Sequence, residues 1–394
     1  MSECVECDIC VVGAGMVGAA TALQAARQGW RVVMWERQAP VQMAHRLGMG
    51  IRTVALSPAS LALLASLDIV PVGASMTAMH VWEELGTATL RFDAGDLQLP
   101  ELGRIVENDV LVAALWRHLT NEAGIEVRLA PEIETLQAES ERVILRGDDL
   151  AVAARLVIAA DGGRSRVRTL LGGETRRWQT GHAALATVVS TTRPHAGVAH
   201  QRFLREGPVA LLPGTQPNLA AVVWSQPPAQ AQARRTLDDT AFCTALTRAT
   251  ESVLGAITAC DERLVFPLVQ HLADEAVPHP RIALVGDALR VLHPLAGMGV
   301  NLGFEDVSGL GRALEGGGDP GASGRLEAFA RRRQVRSRTL VELMAGFRDV
   351  YAWETPGRTW LRNAGIRLVD SLPALKRQIM REALGLGPVA RAMR

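Results

Sequence analysis

The chain has few cysteines and no surplus of charge of either sign. Its 394 residues carry 42 basic and 41 acidic side chains, a formal net charge of +1. That balance gives no global electrostatic reason to bind nucleic acid. Five cysteines are an odd number and too few for a disulfide scaffold, which fits a reducing compartment. Met1-Ser2-Glu3-Cys4 lacks the basic start and cleavage site of a secretory signal, so a cytoplasmic protein is expected. No repeat recurs at solenoid spacing. Hydrophobic residues make up 48% and charged residues 21%, the composition of a globular chain. Its length suits about two packed units.

Two local features invite other readings. Cys4, Cys7 and Cys10 recur at every third residue, a spacing suggestive of cluster ligands. Cys10, however, lies in the apolar run Ile9-Cys10-Val11-Val12, which reads as a buried strand. Strand side chains alternate faces, so a step of three sends neighbouring thiols opposite ways. Cys10 is therefore expected as small core filler, with no metal site. Residues 9–26 hold no charge, as a membrane span would. Gly13, Gly15 and Gly18 divide them instead into strand, turn and helix.

That division carries the first chemical signal. Gly13-Ala14-Gly15-Met16-Val17-Gly18 is a G-x-G-x-x-G turn after a buried strand and ahead of an alanine-rich helix. Gly13 permits the tight turn, Gly15 a close backbone approach to a pyrophosphate, and Gly18 close packing of helix on strand. The helix start presents free N–H groups and a positive dipole end to the phosphates. A second strand, Arg31 to Trp35, ends at Glu36, placed to accept hydrogen bonds from a ribose, with Arg37 beside it. The motif alone does not distinguish NAD from FAD.

Two later segments repeat the pattern of strand followed by aspartate. Ala154 to Ala160 leads into Asp161-Gly162-Gly163-Arg164-Ser165-Arg166-Val167-Arg168. Arg281 to Val285 leads into Gly286-Asp287, and the chain continues from His293-Pro294 to Gly297-Met298-Gly299-Val300-Asn301. Each aspartate thus falls at the carboxyl edge of a sheet, where ligands of open α/β folds bind. Singly, each also reads as a solvated turn; together they point to one cofactor.

The three segments resemble those of the class A flavoprotein monooxygenases, the para-hydroxybenzoate hydroxylase-like enzymes. The resemblance implies an α/β fold with a Rossmann-like FAD-binding domain, an inserted β-sheet substrate domain and C-terminal helices. It implies that the first motif holds the ADP half of FAD. The Asp161 segment would serve FAD and NAD(P)H, and Asp287 the ribityl chain. The loop around Gly297, Met298, Gly299, Val300 and Asn301 would approach the isoalloxazine ring. Arg52 and Asn108 match polar FAD-contacting positions. His293, with Pro294, is the best candidate for a polar active-site group; a loop histidine with a structural hydrogen bond is the plainer alternative.

Within that family the chain is similar to the ubiquinone-biosynthesis hydroxylases. The similarity lies in Phe92-Asp93-Ala94, Ile105 to Leu111, His293 to Gly297, Leu361 to Gly365 and Ala383 to Leu386. It implies ring hydroxylation of a polyprenylated phenol or quinol by NAD(P)H and dioxygen through a flavin hydroperoxide. Two departures stand out. The family usually reads Gly-Asp-Ala-Ala-His where this chain has Leu289 and Arg290, and glutamine where it has Met298. Both bear on flavin potential or substrate position. They keep open a soluble aromatic substrate, or a non-catalytic flavin-binding subunit of a ubiquinone-synthesis complex.

The dispersed motifs require a discontinuous FAD-binding domain, placed at 1–75, 100–178 and 275–325. The alternating, β-branched stretches at 76–99 and 179–274 suit a substrate-binding sheet, and 326–394 a helical region. Near the end, Leu372, Leu375, Ile379, Met380, Ala383 and Leu384 share a helical face beside Lys376, Arg377 and Arg381. Such a helix is expected to dock on its own domain, or to rest on the inner membrane surface as a peripheral contact.

Overall fold

The computed structural model describes residues 3–41, 43–84, 89–292, 299–352 and 372–393, and the side chains of all of these except 3, 343–352, 392 and 393. The first strand, β1 (Glu3–Val12), is followed by α1 (Met16–Arg27) and β2 (Val32–Glu36). The apolar runs at 9–12 and 32–35, buried on both sides, are those of a parallel sheet covered on both faces. A seven-stranded sheet has the order Ile125–Leu129, β2, β1, Leu150–Ala159, Val143–Arg146, Thr135–Ala138. The strand Leu150–Ala159 uses one edge twice. Ala151 to Ala154 pair antiparallel with Val143–Arg146, and Val157 to Ala159 pair parallel with Ile282–Leu284.

One face of this sheet packs on α1, Asn108–Asn121 and Gly299–Leu314, with Leu23, Leu115, Phe304 and Leu310 fully or almost fully buried. The opposite face buries Trp35, Val152 and Leu284. Cys7 and Cys10 both enter this second core, against the expected alternation. The alternation breaks at Asp8, where the Asp8 and Ile9 N–H groups both donate to the Arg31 carbonyl (3.1 and 3.2 Å). Burial pushes the Cys7 thiol up to about 12, so it stays protonated and is a poor metal ligand. Cys4 is exposed. Among the described residues no group of three or more His, Cys, Asp or Glu is placed to hold a metal.

The second sheet has nine strands and is mostly antiparallel, with the order Arg290–Val291, Leu264–Ala273, Thr175–Thr191, Leu219–Gln226, Gly207–Pro213, Val198–Leu204, Ala78–Glu83, Thr89–Asp93. Ile257–Cys260 also pairs with Thr175–Thr191. Asp239–Ala249 covers one face, burying Phe242 and Leu246 against Leu185, Val222 and Trp224. The Arg234 guanidinium lies 4.1 Å from the Trp224 ring centre. A three-stranded sheet, Thr53–Leu56, Gly103–Glu107 and Ala74–Met76, completes the fold.

No described helix is long and apolar enough to cross a membrane. The helix Pro373–Ala383 docks on its own chain: Met380 is buried against Ala94 and Leu102, with Leu384 at the rim. Lys376 lies 3.9 Å from Asp96. Met380→Ala is expected to cost about 2–5 kcal/mol of that docking, read as faster proteolytic release of residues 372–393. Unchanged cleavage would show that the helix is held by other contacts.

Candidate functional site

Parallel pairing brings the three motifs to one edge. Val12 is in register with Trp35 and with Ala159, and Ala159 with Leu284. The residues that follow, Gly13, Glu36, Asp161 and Gly286-Asp287, therefore leave the sheet side by side. Hydrogen bonds carry the alignment past the strands: Gly13 N–H donates to the Trp35 carbonyl (2.8 Å), and Val285 N–H to that of Ala159 (3.0 Å).

The glycines show how closely the segments meet. Gly13 has φ +95°, and a Cβ there would lie 2.6 Å from the Ala160 carbonyl oxygen. A Cβ on Gly18 would lie 1.8 Å from the Gly13 oxygen, so α1 crosses the turn at backbone contact. Val17 fills the gap toward the third segment: a Cβ on Gly303 would come within 2.4 Å of its Cγ2. Gly15 differs, with no atom within 4 Å of its Cβ position. The turn is tight everywhere except where a phosphate would approach the start of α1.

Polar groups ring this opening. Glu36 Oε2 accepts from Ala14 N–H (2.6 Å), and its Oε1 from Arg37 N–H (2.7 Å). Asp161 Oδ2 accepts from the N–H groups of Arg166 (2.7 Å) and Val167 (3.2 Å), capping the helix Arg166–Leu170. Asp161 Oδ1 and Asn108 Oδ1 are buried without a hydrogen-bond partner in the protein, a costly state that a ligand donor would relieve. Arg52 and Arg37 are exposed. The Asn301 side chain is instead engaged with the protein: it donates to the Ala55 carbonyl (2.8 Å) and accepts from Ser57 N–H (2.9 Å) and Ser60 Oγ (2.7 Å).

The turn at Asp287 is held on several sides. His271 Nε2 donates to the Asp287 carbonyl (2.9 Å), and Arg168 donates to that of Ala288 and to Gly163 (2.9 Å). Burial, aided by the Arg168 charge, lowers the His271 pKa to about 4, so the ring is neutral near pH 7. Asp287 itself reaches solvent, yet the protein around it displaces enough water to raise its carboxyl above the usual range. Arg290 opposes that rise and Asp306 adds to it.

Both departures in this segment are absorbed by packing. Leu289 is fully buried in the second core, and Arg290 forms a buried two-pronged ion pair with Asp306. His293, Pro294, Gly297 and Met298 lie outside the described residues, while Gly299, Val300 and Asn301 open the helix Gly299–Leu314.

Sequence reasoning missed His271, Asp306 and the loop around Gly50. That loop spans two sheets: Arg46 pairs with Asp239 (2.8 Å), Leu47 N–H donates to Asp261 (2.9 Å), and Gly50 N–H donates to Glu107 (2.6 Å). Asp306 did leave a sign, since Glu305-Asp306 are the only acids between Val291 and Gly311.

The edge fits FAD by its own geometry: an open position at Gly15, a helix start, and two orphaned oxygens on Asn108 and Asp161. Residues 6–343 match the model of a family described as "FAD binding domain". The chain belongs to this family. It is 32% identical over 390 residues to the 3-demethoxyubiquinol 3-hydroxylase of Escherichia coli K12, covering 96% of this chain and 98% of that protein. It is 30% identical to the mitochondrial ubiquinone biosynthesis monooxygenase COQ6 of Danio rerio, covering 95% and 88%. Among solved structures, Klebsiella pneumoniae HpxO complexed with FAD and uric acid superposes with a TM-score of 0.76 at 17% identity, over 98% of both chains. This member of the FAD binding domain family is thus an FAD-dependent monooxygenase.

Proposed function

We propose that the protein hydroxylates the ring of a polyprenylated phenol or quinol in ubiquinone synthesis, with NAD(P)H or another donor as reductant and dioxygen as oxidant. The observation that carries this reading is the convergence of three distant segments on one open edge, in a chain that aligns along nearly its whole length with a 3-demethoxyubiquinol 3-hydroxylase. Bound FAD supplies the two-electron chemistry that activates dioxygen for transfer of one oxygen atom to an electron-rich ring.

The protein's part is to bind and orient. Gly13, Gly15, Met16, Val17 and Gly18 hold the pyrophosphate against the start of α1. Glu36 and Arg37 take the adenosine ribose side, and Arg52, Asn108 and Asp161 line the middle of the cofactor. Gly286 and Asp287 meet the ribityl chain. Gly299, Val300 and Asn301 open a helix whose positive dipole end would stabilise the charge of the reduced ring, and Gly297 and Met298, outside the described residues, are proposed to belong to the same site. His293 and Pro294, outside the described residues, are proposed as the polar groups of the active site on the resemblance alone. The domain division at 1–75, 100–178 and 275–325, at 76–99 and 179–274, and at 326–394 belongs to the same proposal; sheet membership supports it for most strands, while Arg290–Val291 and the start of Thr175–Thr191 pair within the second sheet.

Purified protein is expected to be yellow with bound FAD and to oxidise NAD(P)H faster when given a prenylated phenol. A strain lacking the protein is expected to accumulate a quinone precursor one hydroxyl short. A colourless protein that takes up no FAD would defeat the reading. Coupled turnover of a soluble phenol alone would move it to a small aromatic substrate. Peripheral membrane contact is proposed with it, since Leu372, Leu375 and Ile379 remain exposed beside Arg377 and Arg381. Liposome binding that survives Leu375→Asp with Ile379→Asp would count against this face.

A further inference from the structure

Asp306 is 0% exposed, two turns into the helix Gly299–Leu314. Its Oδ2 accepts from Gly286 N–H (2.8 Å) and Arg290 Nη1 (3.1 Å), and its Oδ1 from Arg290 Nη2 (2.9 Å). Arg290, 3% exposed, also donates to the Leu302 carbonyl (2.9 Å). Behind the pair, Arg333 Nη1 lies 3.5 Å from both Asp306 and Glu305.

An ion pair buried this deeply is a poor device for stability alone, since an apolar pair of similar volume often does as well. It is a good device for fixing one geometry, because two parallel N–H···O bonds set both distance and angle. The geometry fixed here is the turn before Asp287. Gly286 sits at φ +58° against Val17, a left-handed conformation that costs glycine least. Its N–H has one acceptor, Asp306. His271 and Arg168 hold the next two carbonyls from outside. Asp306, through its bond from Gly286 N–H and its pair with Arg290, ties the turn by side-chain hydrogen bonds to the helix that follows.

We propose that Asp306, locked by Arg290, is a positioning residue that sets the Gly286-Asp287 turn for the cofactor. The cofactor half of this inference rests on the functional reading above; the turn half does not. Arg290, which stands where the resembling family usually has histidine, then serves the turn rather than impairing it.

The test compares Asp306→Asn, Arg290→Met and Arg290→Lys. Amide hydrogen exchange over residues 285–291 is measured in FAD-free protein, and FAD affinity by titration. Asp306→Asn is expected to speed exchange in that segment and to weaken FAD binding, each at least about tenfold. Arg290→Met leaves Asp306 the nearby Arg333 and is expected to fold if Asp306→Asn does not, with a smaller effect of the same sign. Arg290→Lys keeps a donor and should recover part of the loss. Combined with Asp287→Asn, the loss of FAD affinity should be close to that of Asp287→Asn alone, because the two act through one turn. Exchange and affinity within twofold of wild type in Arg290→Met, with only a lowered Tm, would overturn the proposal and leave a purely structural pair. Wild-type protein that takes up no FAD would overturn the functional reading and the cofactor half with it, and the exchange data would still decide the turn.

Discussion

Gly15→Ala is expected to give a folded protein without FAD, and Gly18→Ala a protein whose fold itself is damaged. The two glycines are three residues apart in one motif, but their surroundings are opposite. Gly15 has φ −68° and ψ −176°, an extended conformation open to any residue, and its Cβ position is clear to 4 Å. Alanine there should change unfolding free energy by no more than about 1 kcal/mol. The added methyl would stand where a pyrophosphate must pack on backbone, so FAD affinity should fall by roughly a hundredfold or more, about 3 kcal/mol. At Gly18 the methyl would lie 1.8 Å from the Gly13 oxygen and 3.0 Å from the Ala160 side chain. Relief requires α1 to lift off β1, a cost on the order of 4 kcal/mol with or without cofactor. Calorimetry of the FAD-free proteins separates the cases. Wild-type FAD affinity in Gly15→Ala would show that the phosphates do not pass there.

Acidification from pH 6.5 to 4 should unfold the protein sooner than its carboxylates alone would. Burial lowers both His271 and His200 from 6.5 to about 4. Within that window the unfolded chain binds protons that the folded chain refuses, so stability is full above 6.5 and is lost as pH falls toward 4. For His271, 5% exposed, the shift corresponds to about 3 kcal/mol; His200 is less deeply buried and contributes less. Asp287 acts in the opposite sense: its raised carboxyl favours the folded state at low pH, and that advantage fades as pH rises through its folded pKa. Because His271 also holds the Asp287 carbonyl, FAD release should accompany the loss. His271→Asn should flatten the dependence of Tm on pH across this range. An unchanged slope would mean that His271 protonates without penalty.

Much of this arrangement is legible in the amino-acid sequence. The glycine turn, its flanking strands and Glu36 lie within one short stretch, and the later aspartates each follow an apolar run, so local patterning placed them at a sheet edge. The inserted sheet was likewise visible in alternating stretches such as Ala220 to Trp224. What stayed hidden depends on partners far away in sequence. His271 lies on a strand of the second sheet and reaches the third motif only because Arg290–Val291 pairs beside it. Arg290, read from the sequence as a charge bearing on flavin potential or substrate position, is paired with a carboxylate sixteen residues on. Cys7 and Cys10 depart from simple alternation at Asp8, where the Asp8 and Ile9 N–H groups both donate to the Arg31 carbonyl.

The double use of the strand Leu150–Ala159 also bears on how the molecule assembles. Its early half closes a local hairpin, but Val157 waits for Ile282. Every residue of the inserted sheet up to Ala273 must be synthesised before that last parallel neighbour can dock. Loop closure over such a span is slow relative to the hairpin. The wall bearing Asp287 is therefore among the final pieces to settle, and a nascent chain released before it would have a glycine turn with nothing opposite to grip a flavin.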